Sequence, residues 1–191
     1  LDASMSSLNA LQTSVELAAW FDARILGLYV EDVNLLRLAE LPFAREVSLY
    51  STQPRRLKPL EMEMQLRTQA ARIRAALAWG AERLGVPWEF RTARGAVGAE
   101  VLSAGGEADL VVLGKIGRSL PGVQRSGSTV RMLLMQRRGM TMIVHSKLKA
   151  AKAPIVAVYD GTKESPRVMD IAAFLAKSNQ TLLTVLVTAD D

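Results

Sequence analysis

Cysteine is absent from the 191 residues, and histidine occurs once, at His145. The first absence excludes disulfides and thiolate chemistry. The two together leave a zinc site without its usual ligands. No apolar run approaches the ~20 residues needed to cross a bilayer, so no membrane partner is expected. No signal-peptide pattern follows Leu1, and the abrupt opening suggests that residues before it are missing. These absences fit a cytoplasmic protein. Aromatic residues make up only 5%. The basic stretch Arg55, Arg56 and Lys58 has no aromatic interleaving beyond Tyr50, which disfavours nucleic-acid binding.

What is present is a globular balance: 49% hydrophobic residues and a formal charge of +5. The length suits one domain and a fraction. Ser4, Ser6 and Ser7 offer a cap for a helix whose apolar stripe is Leu8, Leu11, Val15 and Ala18. Ile25 to Val30 is the kind of apolar run that forms a strand buried on both faces of a parallel sheet. Leu35, Leu36, Leu38 and Leu41 predict a short helix before Pro42, and residues 54–59 predict an exposed loop. The longest helical pattern runs from Leu60 to Leu84, with Leu60, Met62, Met64 and Leu66 expected to pack and Gly85 to stop it. Alternation over Trp88 to Ala93 predicts a strand, and Val97 to Gly105 a helix. Strands are also expected at Asp109 to Leu113 and Met140 to Val144, with a helix from Val130 to Arg138 between them. His145 is expected to be a surface residue at a strand end.

Beyond a linker at residues 147–153, the pattern restarts. Ile155 to Thr162 is a strand ending in Asp160, Ser165-Pro166 opens a helix, and Leu182 to Val187 is a further strand. Asp160 corresponds to Asp2, and Leu182 to Val187 corresponds to Ile25 to Val30. An internal repeat of roughly 160 residues implies tandem domains. The expected division is 1–148 for the first domain and 149–191 for the start of a second. Alternating strands and helices predict an α/β fold with a parallel sheet, whose ligands lie beyond the carboxyl ends of the strands.

The chemistry concentrates between Gly114 and Thr129. Two residues separate Gly114 from Gly117, nine separate Gly117 from Gly127, and Ser128-Thr129 follows. An apolar strand before a glycine-punctuated loop and a helix start is a recipe for holding phosphate. Glycines permit close approach, and the first helical amides point at the anion. No efficient general base accompanies the loop. Asp2 and Glu31 are the candidates, and both have structural roles to fill. At most slow phosphoryl-transfer chemistry is expected.

This spacing resembles the nucleotide-binding motif of the universal stress proteins, as do Gly117-Arg118-Ser119 and the strand-end pattern Asp160-Gly161-Thr162. The resemblance implies an open five-stranded parallel sheet with helices on both faces, Rossmann-like and similar to the adenine nucleotide alpha hydrolases, with its first strand largely missing before Leu1. It implies ATP as ligand, with or without Mg. Asp2 would hold the adenine or ribose end, and the backbone at Val30 would contact adenine. Leu113, Gly114, Ile116 and Gly117 would pass close to ribose and phosphates. Gly127, Ser128, Thr129 and Val130 would hold the phosphate oxygens, with Arg118 and Arg125 as lesser candidates for added charge. The alternative of a different class is an interaction module of the same fold that binds no nucleotide. Pairing along Met140 to Val144, as a homodimer or between tandem domains of one chain, is the expected mode of association.

Overall fold

The computed structural model describes residues 1, 4–48, 51–114, 128–136, 139–144 and 154–188. They divide into two compact units, Leu1–His145 and Ser146–Asp191.

In the first unit, α1 (Met5–Phe21) starts at Ser4, whose hydroxyl accepts the Ser7 N–H at 3.1 Å and so satisfies one of the orphan donors of the first turn. It ends at Asp22, in the left-handed conformation. Leu11, Val15 and Ala18 of the expected stripe are buried, whereas Leu8 lies on the rim of that face and is exposed. Next come β1 (Ile25–Asp32) and the short α2 (Val33–Glu40), capped by the Asp32 carboxylate on the Asn34 N–H. A hairpin, β2 (Arg45–Ser48) and β3 (Ser51–Arg56), occupies part of the stretch expected to be a loop. Pro54 is tolerated inside β3 because that strand is an edge and need not donate at every position.

The long helix α3 (Pro59–Arg83) has proline in its first turn and stops before Gly85, whose φ of +67° suits glycine. Its buried face is Leu66, Ala70, Ile73, Leu77 and Ala81. Leu60 and Met64, expected to pack, are 70% and 61% exposed. Their register falls off the face that the core uses, so composition misassigned them. Then follow β4 (Trp88–Gly95), α4 (Val97–Gly105), β5 (Leu110–Gly114), α5 (Ser128–Gln136) and β6 (Met140–Val144). Gly95 is the last residue of β4.

Strands β1 and β4 pair in parallel, Ile25 opposite Trp88 through Asp32 opposite Gly95. Strands β5 and β6 also pair in parallel, Leu110 opposite Met140 through Gly114 opposite Val144. The fold is therefore α/β with parallel strands and crossover helices, and among the described residues the strands of this unit pair as these two parallel pairs and the antiparallel β2–β3 hairpin. Helix α1 packs on β5, β6 and β1. Its Leu11 and Val15 join Tyr29 of β1 and Leu66, Ala70, Ile73 and Leu77 of α3 in the main core. Full burial of side chains such as Ile73 and Leu77 contributes about 1.5–3 kcal/mol each. Gly27 lets α3 lie this close: a Cβ there would stand 2.6 Å from Leu77 Cδ2.

The second unit is a strand–helix–strand: β7 (Ile155–Tyr159), α6 (Ser165–Ser178) and β8 (Leu183–Val187). Ile155 opposes Leu183 and Tyr159 opposes Val187, again in parallel. Among the described residues no helix is long and apolar enough to cross a membrane.

Candidate functional site

The candidate site is built around the carboxyl ends of β1 and β5 and the amino end of α1. Strand β1 presents alternate backbone groups to its two edges. The Ile25 N–H donates to the Pro87 carbonyl at 2.9 Å, so odd-numbered residues of β1 face β4. Even-numbered residues face the other edge, where the Leu28 carbonyl accepts a hydrogen bond from the Leu1 nitrogen at 2.8 Å. By the same alternation the N–H and C=O of Val30 point to that edge, away from β4. A ligand beside the end of β1 would meet the Val30 backbone there.

Three residues beyond Leu1, Ser4 opens α1, and the first turn of α1 lies on the end of β5. A Cβ built on Gly114 would sit 2.8 Å from the Ser6 carbonyl carbon and 2.9 Å from the Ser7 nitrogen. The close approach that demands glycine at 114 is thus to the backbone of α1. Leu113, half-buried, stands opposite Ile143. Gly114 is in this way joined to the start of α1, and β1 is joined to Leu1 through Leu28.

Helix α5 begins at Ser128, two residues before the expected start, which brings Ser128 and Thr129 into its first turn. Ser128 is exposed and Thr129 half-buried. Val130 is buried with Leu133 and anchors the helix, so a ligand role for Val130 would rest on its backbone N–H. Across from this anchor, Met132 packs onto Gly98 of α4. Asp2, Ile116, Gly117, Gly127, Arg118, Arg125 and His145 lie outside the described residues.

Glu31 is 8% exposed, and its carboxylate has a dedicated partner. Arg94, at the end of β4, donates to Glu31 Oε2 through Nε at 2.8 Å and forms an ion pair from a terminal guanidinium nitrogen at 2.8 Å. The other terminal nitrogen lies 3.2 Å from Glu63 on α3. The hydrogen bond to Glu31, with Glu63 as a lesser influence, raises the Arg94 pKa above its ordinary value. A buried carboxylate bound in this way ties β1, β4 and α3 together and is not poised as a general base. Arg94 and Glu63 carried no local signal in the sequence, because Arg94 lies 63 positions from Glu31 and only the parallel register joins them.

In the second unit, Asp160 follows β7 as expected. Its Oδ1 accepts from the Ser165 hydroxyl, from the Thr162 hydroxyl at 2.8 Å and from the Thr162 N–H at 3.1 Å. These bonds, that of Ser165 foremost, lower its pKa from 3.8 to about 2. Carboxylates that accept several donors favour the ionised form in this manner.

No protein-family model and no curated protein sequence matches the chain. Solved structures do match in fold. The hypothetical protein MJ0577, the subject of a structure-based assignment of biochemical function, aligns with TM-score 0.58 at 16% identity, over 76% of this chain and 92% of its own. Universal stress protein UspA from Lactobacillus plantarum aligns with TM-score 0.55 at 18% identity, over 76% of this chain and 93% of its own. A universal stress protein from Archaeoglobus fulgidus DSM 4304 aligns with TM-score 0.61 at 17% identity, over all of this chain and 64% of its own. The parallel strands, the crossover helices and their order are therefore those of the universal stress protein fold.

Proposed function

We propose that this chain is a universal stress protein-like regulatory protein that binds ATP, as a ligand or as a slowly hydrolysed substrate. The observation that carries the reading is the passage from β5 to α5. An apolar strand ends at Gly114, thirteen residues follow, and a helix starts on Ser128 and Thr129. The intervening residues hold the Gly117-x9-Gly127 spacing. The donor set suits a triphosphate: first-turn amides of α5, which lack intrahelical partners, an exposed serine hydroxyl, and glycines on either side. Bound Mg would neutralise phosphate charge and take its ligands largely from the nucleotide and water. The Val30 backbone edge, which no strand among the described residues pairs, supports an adenine contact, and Asp2 would face the ribose or base.

The tandem reading draws support from the second unit, a parallel strand–helix–strand in which Asp160 follows the first strand. Association through β6 draws support from its position, since among the described residues it pairs only with β5. A cytoplasmic location completes the proposal.

Calorimetry with ATP tests it. The expected result is saturable heat with wild type and its loss in Gly127→Val, where a branched side chain would block the phosphate. Absence of heat and of co-purified nucleotide at ATP concentrations of about 1 mM, against a binding free energy of only about −4 kcal/mol for a millimolar Kd, would overturn the reading.

A further inference from the structure

The β2–β3 hairpin is not used by the nucleotide reading, and its two faces differ in charge. On one rung Glu46 stands opposite Arg55, and the two are bonded: Arg55 Nε donates to Glu46 Oε1 at 2.9 Å, with a terminal nitrogen at 2.7 Å. Arg55 also reaches Glu61 of α3 at 3.6 Å, and Lys58 bonds the same carboxylate at 2.8 Å. Two of the three basic residues noted in the sequence are therefore neutralised, and they fasten the hairpin to α3. Successive side chains leave a strand from opposite faces, so the neighbouring rung, Arg45 opposite Arg56, faces away from α3. Both arginines are exposed, and neither has an acidic partner among the described residues.

Three rungs of the described strands set one charge directly against another. Glu31 opposes Arg94 and Glu46 opposes Arg55, and both pairs are complementary and bonded. The rung of Arg45 and Arg56 is the one that repels, and like charges in this position cost stability. It is also a close rung. The Leu57 N–H donates to the Ala44 carbonyl at 3.2 Å, so Ala44 and Leu57 form a hydrogen-bonded pair. By antiparallel alternation the next pair, Arg45 and Arg56, is of the non-hydrogen-bonded kind, with Cα atoms about 4.5 Å apart and side chains at their closest. The register shift between Glu46 and Ser48 falls beyond this rung. Two guanidinium groups thus leave one face of a fastened hairpin side by side, within reach of a single small anion.

We propose that Arg45 and Arg56 form a clamp for a phosphate dianion, the end group of a phosphomonoester. Its nearly two negative charges match the two guanidinium charges, and its three free oxygens can accept from both forks at once. Binding removes the like-charge penalty that the rung carries when empty. A carboxylate or a sulfate ester brings one charge and leaves half of the repulsion in place. A phosphodiester brings one charge per phosphate as well, which sets nucleic acid and phosphodiester lipids apart from the ligand class. The phosphate can come from a phosphorylated side chain of a partner or from a small phosphorylated molecule, and the chemistry at the clamp is the same.

An NMR titration of the intact, nitrogen-15-labelled chain tests the proposal. The probes are phenyl phosphate, phenyl sulfate and the peptide Gly-Ala-phosphoserine-Ala-Gly, at about pH 7.5, where a phosphomonoester carries close to two charges. The expected result is saturable shifts of the Arg45 and Arg56 side-chain N–H signals, with phenyl phosphate bound roughly tenfold tighter than phenyl sulfate. Arg45→Gln and Arg56→Gln should each lose about tenfold in affinity for phenyl phosphate while unfolding at the wild-type temperature or above, because each removes an exposed repulsion. Tighter binding of the peptide than of phenyl phosphate assigns the phosphate to a phosphorylated side chain, and equal or weaker binding assigns it to a small phosphomonoester; both support the clamp. Equal affinity for phosphate and sulfate, unchanged affinity in a folded variant, or no shift at Arg45 and Arg56 would overturn it. Shifts confined to Ser128 and Thr129 would also overturn it while supporting the phosphate loop, so the two readings fail separately. Should neither variant fold, the position of the shifts and the phosphate-to-sulfate ratio on the wild-type chain decide alone.

Discussion

Replacing Gly114 by alanine asks whether the glycine that ends β5 serves the fold or only a ligand. A Cβ at this position meets the Ser6 carbonyl carbon at 2.8 Å, the Ser7 nitrogen at 2.9 Å and the Ser6 Cβ at 2.9 Å, which the backbone holds in place. Those atoms belong to the first turn of α1, which Ser4 caps and whose Leu11 and Val15 are built into the core. Relief therefore requires the helix to move off the strand. Overpacking of this kind costs about 1–3 kcal/mol, and the upper half of that range is expected because no rotamer change can absorb the clash. At about 2–4 °C per kcal/mol for a chain of this size, the melting temperature should fall by about 4–12 °C, with no ligand present. Gly80 of α3 is the control. A Cβ there finds only Val15, at 3.6 Å, an ordinary contact. In a helix interior Gly→Ala should then stabilise by about 0.5–1 kcal/mol. Urea denaturation followed by circular dichroism reads both variants, with the transition midpoint as the measure and the m-value as the check that compactness has not changed. Equal effects of the two substitutions, or a Gly114→Ala midpoint within error of wild type, would refute the packing argument. Glycine at 114 would then be kept for the ligand alone.

Two further outcomes follow from the geometry. Leu77→Ala should cost about 2–5 kcal/mol in the same urea assay, because Leu77 is almost fully buried between α3 and Gly27 of β1 and the site can collapse only partly. Asp160 has its pKa depressed to about 2 in the folded chain. Its contribution to stability is accordingly present above the unfolded value near 3.8 and is lost as pH falls through about 2. Carbon-13 titration of the Asp160 carboxyl should show that low midpoint. Ser165→Ala should move it up toward the ordinary range, and a midpoint that stayed in place would show that the Ser165 hydroxyl is not its chief cause.

Much of the element order was legible because hydrophobic period and punctuation agree along the chain. The serine cluster before α1, Gly85 after α3 and Ser165-Pro166 before α6 each mark an end for a local reason, a side-chain cap, a left-handed residue or a preset φ. The hairpin was not legible. Pro54 and the basic residues around it read as loop, and what makes β3 a strand is its pairing with Arg45 to Ser48 and the Glu46–Arg55 bond. Leu60 and Met64 show the same limit: composition marks them as packing residues, but helix register turns them to solvent. Of the candidate site, the position of Leu113 and Gly114 at the end of a strand was legible from spacing, whereas β1 runs two residues past Val30 and α5 starts at Ser128, two residues before the expected Val130. That Gly114 is pressed onto α1, and that Glu31 is bound by Arg94, were not.

By itself, then, the sequence determined which segments are strands and helices, that the strands are parallel, and where a glycine-spaced loop meets a helix start. These follow from local periodicity and from φ preferences, which act within a few residues. Tertiary structure alone decided which charges are neutralised and which are left over. Arg55 and Lys58 find Glu46 and Glu61, Arg94 finds Glu31, and Arg45 faces Arg56 with no acid between them. Electrostatic pairing depends on distance in space. Strand register brings together residues far apart in the chain, and no period in the sequence encodes that.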